Sequence, residues 1–311
     1  MSKSRPQKEK INQQVWAGAL LKGLVVMFSW MPYWMVQWLG VAIGMLLYWL
    51  PSGSKSIVKK NIAAVYPNLD RSEQDHLVKQ VLIESSKTTV EFGPVWCWNQ
   101  DKLNGLVKEV EGQALVDEAL AKNKGVIFLA PHMGNWEMIV PVISSLYAST
   151  FLYRPPNVPS VESFMVDARS RFGAKLAPTD VRGVRTLIKA LKNSEVIGIL
   201  PDQDPGASGG VYAPFCQRPA RTMTLVSKLI QKTDCAVVFM VVKRLANGEG
   251  FAVHYLPADA AKLASKDELE ATTALNQGVE ACIELATEQY LWAYKRYRKP
   301  PKGVEDIYKS K

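Results

Sequence analysis

The chain is short of the residues that most readily announce a chemistry. It has three histidines in 311 residues, so a zinc site of the HExxH kind, with two histidines on one helical face, has little to draw on. Its four cysteines (Cys97, Cys216, Cys235 and Cys282) show no CxxC spacing, and none stands near a histidine in sequence. That argues against a zinc site and against a disulfide framework, and it fits buried thiols in a reducing compartment. There is no zinc-finger spacing, RNP-like run or glycine-rich phosphate loop, which speaks against nucleic acid as a partner. No GxSxG elbow proposes a serine nucleophile. We find no internal repeat and no low-complexity segment.

Charge is the other absence. Between Val15 and Leu50 the one charged residue is Lys22, and from Gly23 to Leu50 there is none. Five of the nine tryptophans (Trp16, Trp30, Trp34, Trp38 and Trp49) fall in this stretch. A charge-free run of about 20 residues can span a bilayer, and tryptophan favours the membrane interface. Lys3, Arg5, Lys8 and Lys10 precede the run and Lys55, Lys59 and Lys60 follow it, a pattern that favours both ends on the cytoplasmic side. The run is too long for a cleavable signal, and Pro51-Ser52-Gly53-Ser54-Lys55 does not resemble a cleavage site. Pro32 divides it into two pieces. A single spanning helix, a shallow hairpin and two interfacial helices all fit; an apolar helical pair packed on a soluble domain is the alternative. Residues 1–55 are expected to form a basic segment and a hydrophobic helical membrane anchor, and residues 56–311 the catalytic domain.

What remains is well furnished. The chain is 48% hydrophobic, with a formal net charge of +9 and a pI of about 9.2, a balance suited to an acidic partner such as an anionic membrane surface or an acidic protein. Asp70-Arg71-Ser72-Glu73 reads as a capping box opening a helix that carries Leu77, Val81 and Ile83 toward Trp96-Cys97-Trp98. Beyond it strands are expected at 125–130, 150–153, 196–200, 236–242 and 251–255. Helices are expected at 138–146, 161–172, 184–191, 223–230 and 267–290. Such alternation predicts an α/β fold, a mixed sheet covered by helices. In these sheets ligands bind beyond the carboxyl ends of strands. His132 lies just past one such end, and Asp202 and Asp204 just past another.

His132 and Glu137 sit five positions apart in "LAPHMGNWE". A neutral imidazole can remove a hydroxyl proton during attack on an acyl carbon, and a carboxylate on its other nitrogen fixes the tautomer and stabilises the imidazolium. With Asn135 starting a helix, Glu137 falls in the first turn, from which its side chain can fold back toward His132. The competing reading is that Glu137 complements the helix start and His132 is an ordinary loop residue.

The surrounding words bear on that choice. "PHMGNWE" resembles the H-x4-(D/E) box of the glycerolipid and lipid A acyltransferases, in the form used by the late lipid A acyltransferases. "FLYRPPNVP" from Phe151, "RGVRTLIKAL" from Arg182, "ILPDQDPGASGGVYAPF" from Ile199, "RPARTMT" from Arg218 and "EQYLWAYKRYRKPPKG" from Glu288 follow in that family's order. The resemblance covers essentially the whole chain. It implies transfer of a fatty acyl chain from acyl-acyl carrier protein to a hydroxyl on a lipid A precursor, at the cytoplasmic face of a Gram-negative inner membrane. It implies no cofactor and no metal, with the acyl-carrier protein as donor substrate. His132 would then be the general base and Glu137 its orienter.

On this reading backbone N–H groups at Gly134 and Asn135 are candidates for the oxyanion, and Asn135 for the substrate contact set. Arg154 and Arg169 are candidates for phosphate on lipid A or on the phosphopantetheine arm, because a guanidinium forks onto phosphate; surface charge or ion pairing is the alternative. Asp202 and Asp204 would order the loop or bond sugar groups, or simply form the Asp-Pro-Gly turn. Lys295, Arg296, Arg298, Lys299 and Lys302 would meet the acidic carrier protein or anionic headgroups. The family's closing box often reads Trp-x-His-Arg-Arg; here Tyr294 stands at the histidine and is expected to pack or hydrogen-bond. An acyltransferase of another glycolipid such as an acylated mannoside, an acyl-thioester hydrolase and an inactive lipid-binding protein are the alternatives.

Overall fold

A computed structural model of the chain describes residues 7–153 and 159–309. Two helices, α1 (Gln7–Ser29), apolar over Gly18–Ser29, and the apolar α2 (Tyr33–Trp49), precede α3 (Gly53–Val65) and the long α4 (Arg71–Cys97). A short α5 (Gln100–Asn104) leads to β1 (Val107–Glu111), α6 (Gln113–Ala121) and β2 (Val126–Leu129). After a 3-10 turn at Trp136–Met138 come α7 (Ile139–Ser144), β3 (Ser149–Tyr153), α8 (Pro159–Ser170), β4 (Lys175–Pro178), α9 (Val181–Lys192) and β5 (Val196–Ile199). The hairpin β6 (Gly210–Phe215) and β7 (Arg218–Met223) is followed by α10 (Leu225–Thr233), β8 (Ala236–Arg244) and β9 (Phe251–Pro257). The chain closes through α11 (Ala260–Leu263) and α12 (Glu268–Glu284).

Seven strands form one mixed sheet in the order β1-β9-β8-β2-β5-β3-β4, flanked by helices. All neighbours run parallel except β8 and β9. The central strands β2 and β5 are buried along their whole length, as a parallel sheet covered on both faces requires. Their side chains alternate between two cores. Ile127, Leu129, Ile197 and Ile199 face one, with α9, α10 and α12. Val126, Phe128 and Val196 face the other, with α6 and α7.

The expected strands are all present. Those not foreseen are β1, whose charged sequence Val107-Lys108-Glu109-Val110-Glu111 lies exposed at the sheet edge, the short β4, and the β6–β7 hairpin. Met223 pairs with Gly210 in that hairpin, so the helix expected from 223 begins two residues later. The helix expected to reach Tyr290 ends at Glu284. There the backbone bonds to the histidine loop instead: Gly134 N–H donates to Gln289 O (3.0 Å) and Leu291 N–H to His132 O (2.9 Å).

The capping box at α4 forms: Asp70 accepts from the Ser72 and Glu73 N–H groups, and Glu73 accepts from Asp70 N–H. Pro32 breaks the apolar segment between α1 and α2, because it lacks the N–H that a continuous helix needs. Gly40 and Gly44 let α2 lie directly on α4; a Cβ at either would sit 2.6 Å from Lys87 Cα or 2.4 Å from Ile83 Cα. Tyr33, Val36 and Gln37 face inward, while Trp30, Trp34 and Trp38 are 79%, 58% and 70% exposed. Among the described residues no single helix is long and apolar enough to cross a membrane; α2 with α3 passes on length and composition only as a pair bent by 82°.

Candidate active site

Strand register builds the site. Leu129 of β2 pairs with Ile199 of β5, and His132 and Asp202 each stand three residues beyond that pair. Two parallel neighbours leaving the sheet together thus bring the residues into contact across 70 positions of sequence. Asp202 Oδ1 lies 2.8 Å from His132 Nδ1, and Asp202 Oδ2 accepts the His132 backbone N–H at 3.0 Å. Asp202 is almost fully buried and the His132 side chain retains 15% exposure. Burial alone would raise the Asp202 carboxyl. The electrostatic attraction of the His132 ring, the two hydrogen bonds from His132 and the more distant Arg296 outweigh that and hold it below the ordinary range. An ionised carboxylate on Nδ1 keeps the proton there and leaves Nε2 as the free base. Gln203 Nε2 lies 3.2 Å from His132 Nε2, a contact that fits amide donation to that lone pair.

The geometry places Glu137 elsewhere than on the His132 ring. Its carboxylate does not bond His132; it is forked by Arg169, with Nε to Oε2 at 3.1 Å and Nη2 to Oε1 at 2.5 Å. Trp96 Nε1 donates to Oε2 at 2.9 Å. Glu137 is 5% exposed, and burial would raise its carboxyl, but Arg169, Trp96 and the nearby His132 lower it on balance. Burial likewise disfavours the charge on Arg169, yet Glu137 raises its pKa overall. Arg169 is therefore committed to this pair, with its fork facing Glu137. Arg154 lies outside the described residues.

The backbone N–H groups expected at the oxyanion are bonded within the fold. Gly134 N–H is taken by Gln289 O and Asn135 N–H by Val242 O (2.9 Å), so neither points into the site. Asn135 is fully buried. It caps the 3-10 turn by accepting Glu137 N–H on Oδ1 (3.1 Å) and donates from Nδ2 to Glu91 (2.9 Å). Gly134 has a φ of +56°, and a Cβ there would sit 2.0 Å from Val242 O. Only glycine fits so tight a crossing of β8.

Asp204 lies away from the imidazole. Arg298 Nε reaches it at 3.0 Å and Arg221 at 3.8 Å, and its backbone N–H donates to Tyr294 Oη at 3.0 Å. Tyr294 thus anchors the loop behind the dyad by hydrogen bonding. In the carboxy-terminal basic cluster Lys295, Arg298, Lys299 and Lys302 are exposed, but Arg296 is 3% exposed and turned inward. It donates to Arg221 O and Thr222 Oγ1, which removes it from any docking surface.

Beside the imidazole stands an aromatic wall. Trp136 meets His132 edge-on at 5.3 Å, Phe92 stacks on Trp96 at 5.1 Å, and Phe164 meets Trp96 at 5.7 Å. All four are partly exposed. Lys22 of α1 lies over the Phe164 ring, so the wall runs from the dyad toward the apolar helices. Neither Gln203 nor this cluster was singled out from sequence. Gln203 lies between the two aspartates that were, and the aromatics come from α4, the histidine turn and α8.

Known proteins resemble the chain along most of its length. The lipid A biosynthesis lauroyltransferase of Escherichia coli (strain K12) is 27% identical over 295 residues, covering 94% of this chain and 94% of its own length. The lipid A biosynthesis palmitoleoyltransferase of the same organism is 27% identical over 289 residues, or 92% and 93%. A lipid A biosynthesis acyltransferase of Haemophilus influenzae is 25% identical over 276 residues, or 87% and 86%. The family model described as bacterial lipid A biosynthesis acyltransferase matches residues 5–299, and the chain belongs to that family.

Proposed function

We propose that the protein transfers a fatty acyl chain from acyl-acyl carrier protein to a hydroxyl of a lipid A precursor, with His132 as general base and Asp202 as its orienter. Membership of the family supports acyl transfer onto lipid A. The carrying observation for the mechanism is the His132–Asp202 pair at the carboxyl ends of adjacent parallel strands, with Nε2 left to the Gln203 amide alone.

In the reaction the acceptor hydroxyl takes the place of Gln203 on Nε2. His132 removes its proton as the oxygen attacks the thioester carbonyl. Asp202 stabilises the imidazolium so formed. Collapse of the tetrahedral intermediate breaks the C–S bond, and the imidazolium returns the proton to the leaving thiolate. The products are an ester and the free carrier thiol. Glu137, locked to Arg169, holds the far side of the turn and presents Trp136 and Trp96 as the wall along which the acyl chain lies.

The membrane reading rests on the outward faces of α1 and α2. Trp16, Leu20, Trp30, Trp34, Trp38 and Trp49 are all more than half exposed on one continuous segment, where a soluble surface would place charge. These helices are proposed to lie in the interface of the inner membrane, catalytic domain on the cytoplasmic side, so that a lipid acceptor reaches His132 along the aromatic wall. The exposed Lys295, Arg298, Lys299 and Lys302 suit the acidic carrier protein. Purified protein supplied with acyl-acyl carrier protein, with and without lipid A precursor, tests the reading. An acylated lipid is expected only with both; thioester loss without a lipid product points to a hydrolase and overturns it.

A further inference from the structure

Beneath the histidine turn lies a buried charge cluster that plays no direct part in the chemistry. Arg244, the last residue of β8, is 3% exposed and Glu91 of α4 is fully buried. The guanidinium forks onto Glu91, with Nε to Oε1 at 2.7 Å and Nη2 to Oε2 at 2.5 Å, and its Nη1 donates to Glu84 at 2.6 Å. Lys87 balances Glu84 from the outside at 2.6 Å. Buried pairs of this kind contribute little net stability against an apolar replacement, so their presence asks for another reason.

The reason lies in what the cluster holds. Glu91 Oε2 accepts Asn135 Nδ2, which sets the amide so that its oxygen caps Glu137 N–H. Thr88 Oγ1 shares its proton between the Gly134 carbonyl at 3.0 Å and the Glu84 carbonyl at 3.1 Å, and accepts from Arg244 Nη2 at 2.9 Å. Two successive residues of the turn that carries His132 are thereby fixed from below. The other Glu91 oxygen accepts Tyr33 Oη (2.8 Å) and Gln37 Nε2 (2.6 Å) from α2. One carboxylate thus ties the apolar helix to the histidine turn.

We infer that Glu91 and Arg244 are positioning residues for acyl transfer, acting through Asn135 and Gly134 to hold the His132 turn in register with Asp202. The inference rests on the acyl-transfer reading of the site. A turn displaced by about an ångström changes the rate of the chemical step by up to about a hundredfold while leaving substrate binding in place.

The test is steady-state kinetics on the full-length protein with acyl-acyl carrier protein and lipid A precursor, alongside thermal melts. Glu91→Gln keeps the shape and turns one acceptor into a donor facing Asn135 Nδ2. It is expected to lower kcat by at least about tenfold with KM within about twofold. The double variant Glu91→Gln with Asn135→Asp reverses the polarity of that hydrogen bond and is expected to recover at least about a third of the lost activity. Wild-type kcat in the single variant, or a double variant no better than the single, overturns the inference. Should Glu91→Gln fail to fold, the decision passes to Thr88→Val, which is expected to lower kcat by about threefold or more through one lost hydrogen bond; an unchanged kcat there overturns it. His132→Ala separates the two levels. Activity retained in that variant overturns the site reading together with the inference, whereas an inactive His132→Ala beside a normal Glu91→Gln overturns the inference alone.

Discussion

Replacing Asp202 by asparagine separates the two carboxylates that compete for the role of orienter. Asp202 receives two N–H groups from one residue, the ring Nδ1 and the backbone N of His132, on different oxygens. Asparagine has one oxygen and one NH2. If its NH2 faces the backbone N–H, two donors meet in a site with almost no exposure. If it faces Nδ1 instead, the ring proton moves to Nε2, and the base is lost where the hydroxyl must bind. The second arrangement keeps the packing and costs activity. A wrong tautomer in a comparable catalytic pair lowers kcat by about 10^4-fold, or about 5.5 kcal/mol of barrier. Glu137→Gln leaves Nδ1 untouched and loosens only the pair with Arg169, so it is expected to cost much less. The assay is kcat at saturating donor and acceptor for both variants, with thermal melts to establish that each is folded. A loss under about tenfold in Asp202→Asn beside a loss above about a thousandfold in Glu137→Gln would refute the reasoning and return the role to Glu137.

Other outcomes follow from the same geometry. Gly134→Ala is expected to destabilise the fold by about 2–4 kcal/mol in denaturant unfolding, because left-handed φ and a backbone clash with Val242 O coincide; an unchanged midpoint contradicts it. Asp202, Glu137 and Glu91 are buried, which alone would raise them, but His132, Arg169 and Arg244 respectively hold each below the ordinary range. A carboxyl with a depressed folded pKa contributes stability that is full above its unfolded value of about 4 and lost as pH falls through the folded value. The denaturant midpoint should therefore drop steeply below about pH 4, and a flat midpoint down to pH 3 contradicts the ion-pair account. Trp30, Trp34 and Trp38 changed together to alanine should weaken co-sedimentation with anionic vesicles by at least about tenfold, and unaltered partition removes the interfacial reading. Substitution is the better probe than deletion, since removing α2 would uncover Glu91.

Much of this architecture was legible because local pattern and tertiary environment agreed. The runs ending at Leu129 and Ile199 are apolar throughout, as buried parallel strands must be, and the expectation of chemistry just beyond them led to His132 and Asp202. What could not be read was which strands are neighbours. Spacing leaves the His132–Glu137 pair open and the family resemblance implies it, whereas the register of β2 on β5 gives Nδ1 to a residue 70 positions away. The Glu91–Arg244 contact spans 153 positions, and no spacing rule reaches that far. The β6–β7 hairpin escaped for a local reason: Cys216 and Gln217 turn with φ of +46° and +62°, positions where Asn-Gly would have signalled a turn. Strand β1 hid behind its charges, which an exposed edge tolerates.

The central claim, acyl transfer to a lipid through His132, is tested most directly by mass spectrometry of the lipid product. Purified full-length protein and its His132→Ala variant would each be given acyl-acyl carrier protein and lipid A precursor. The account predicts a lipid heavier by one ester-linked acyl chain with the native protein, formed at least about a hundredfold more slowly by the variant. The same product at an undiminished rate from His132→Ala, or thioester consumed with no acylated lipid, would contradict it.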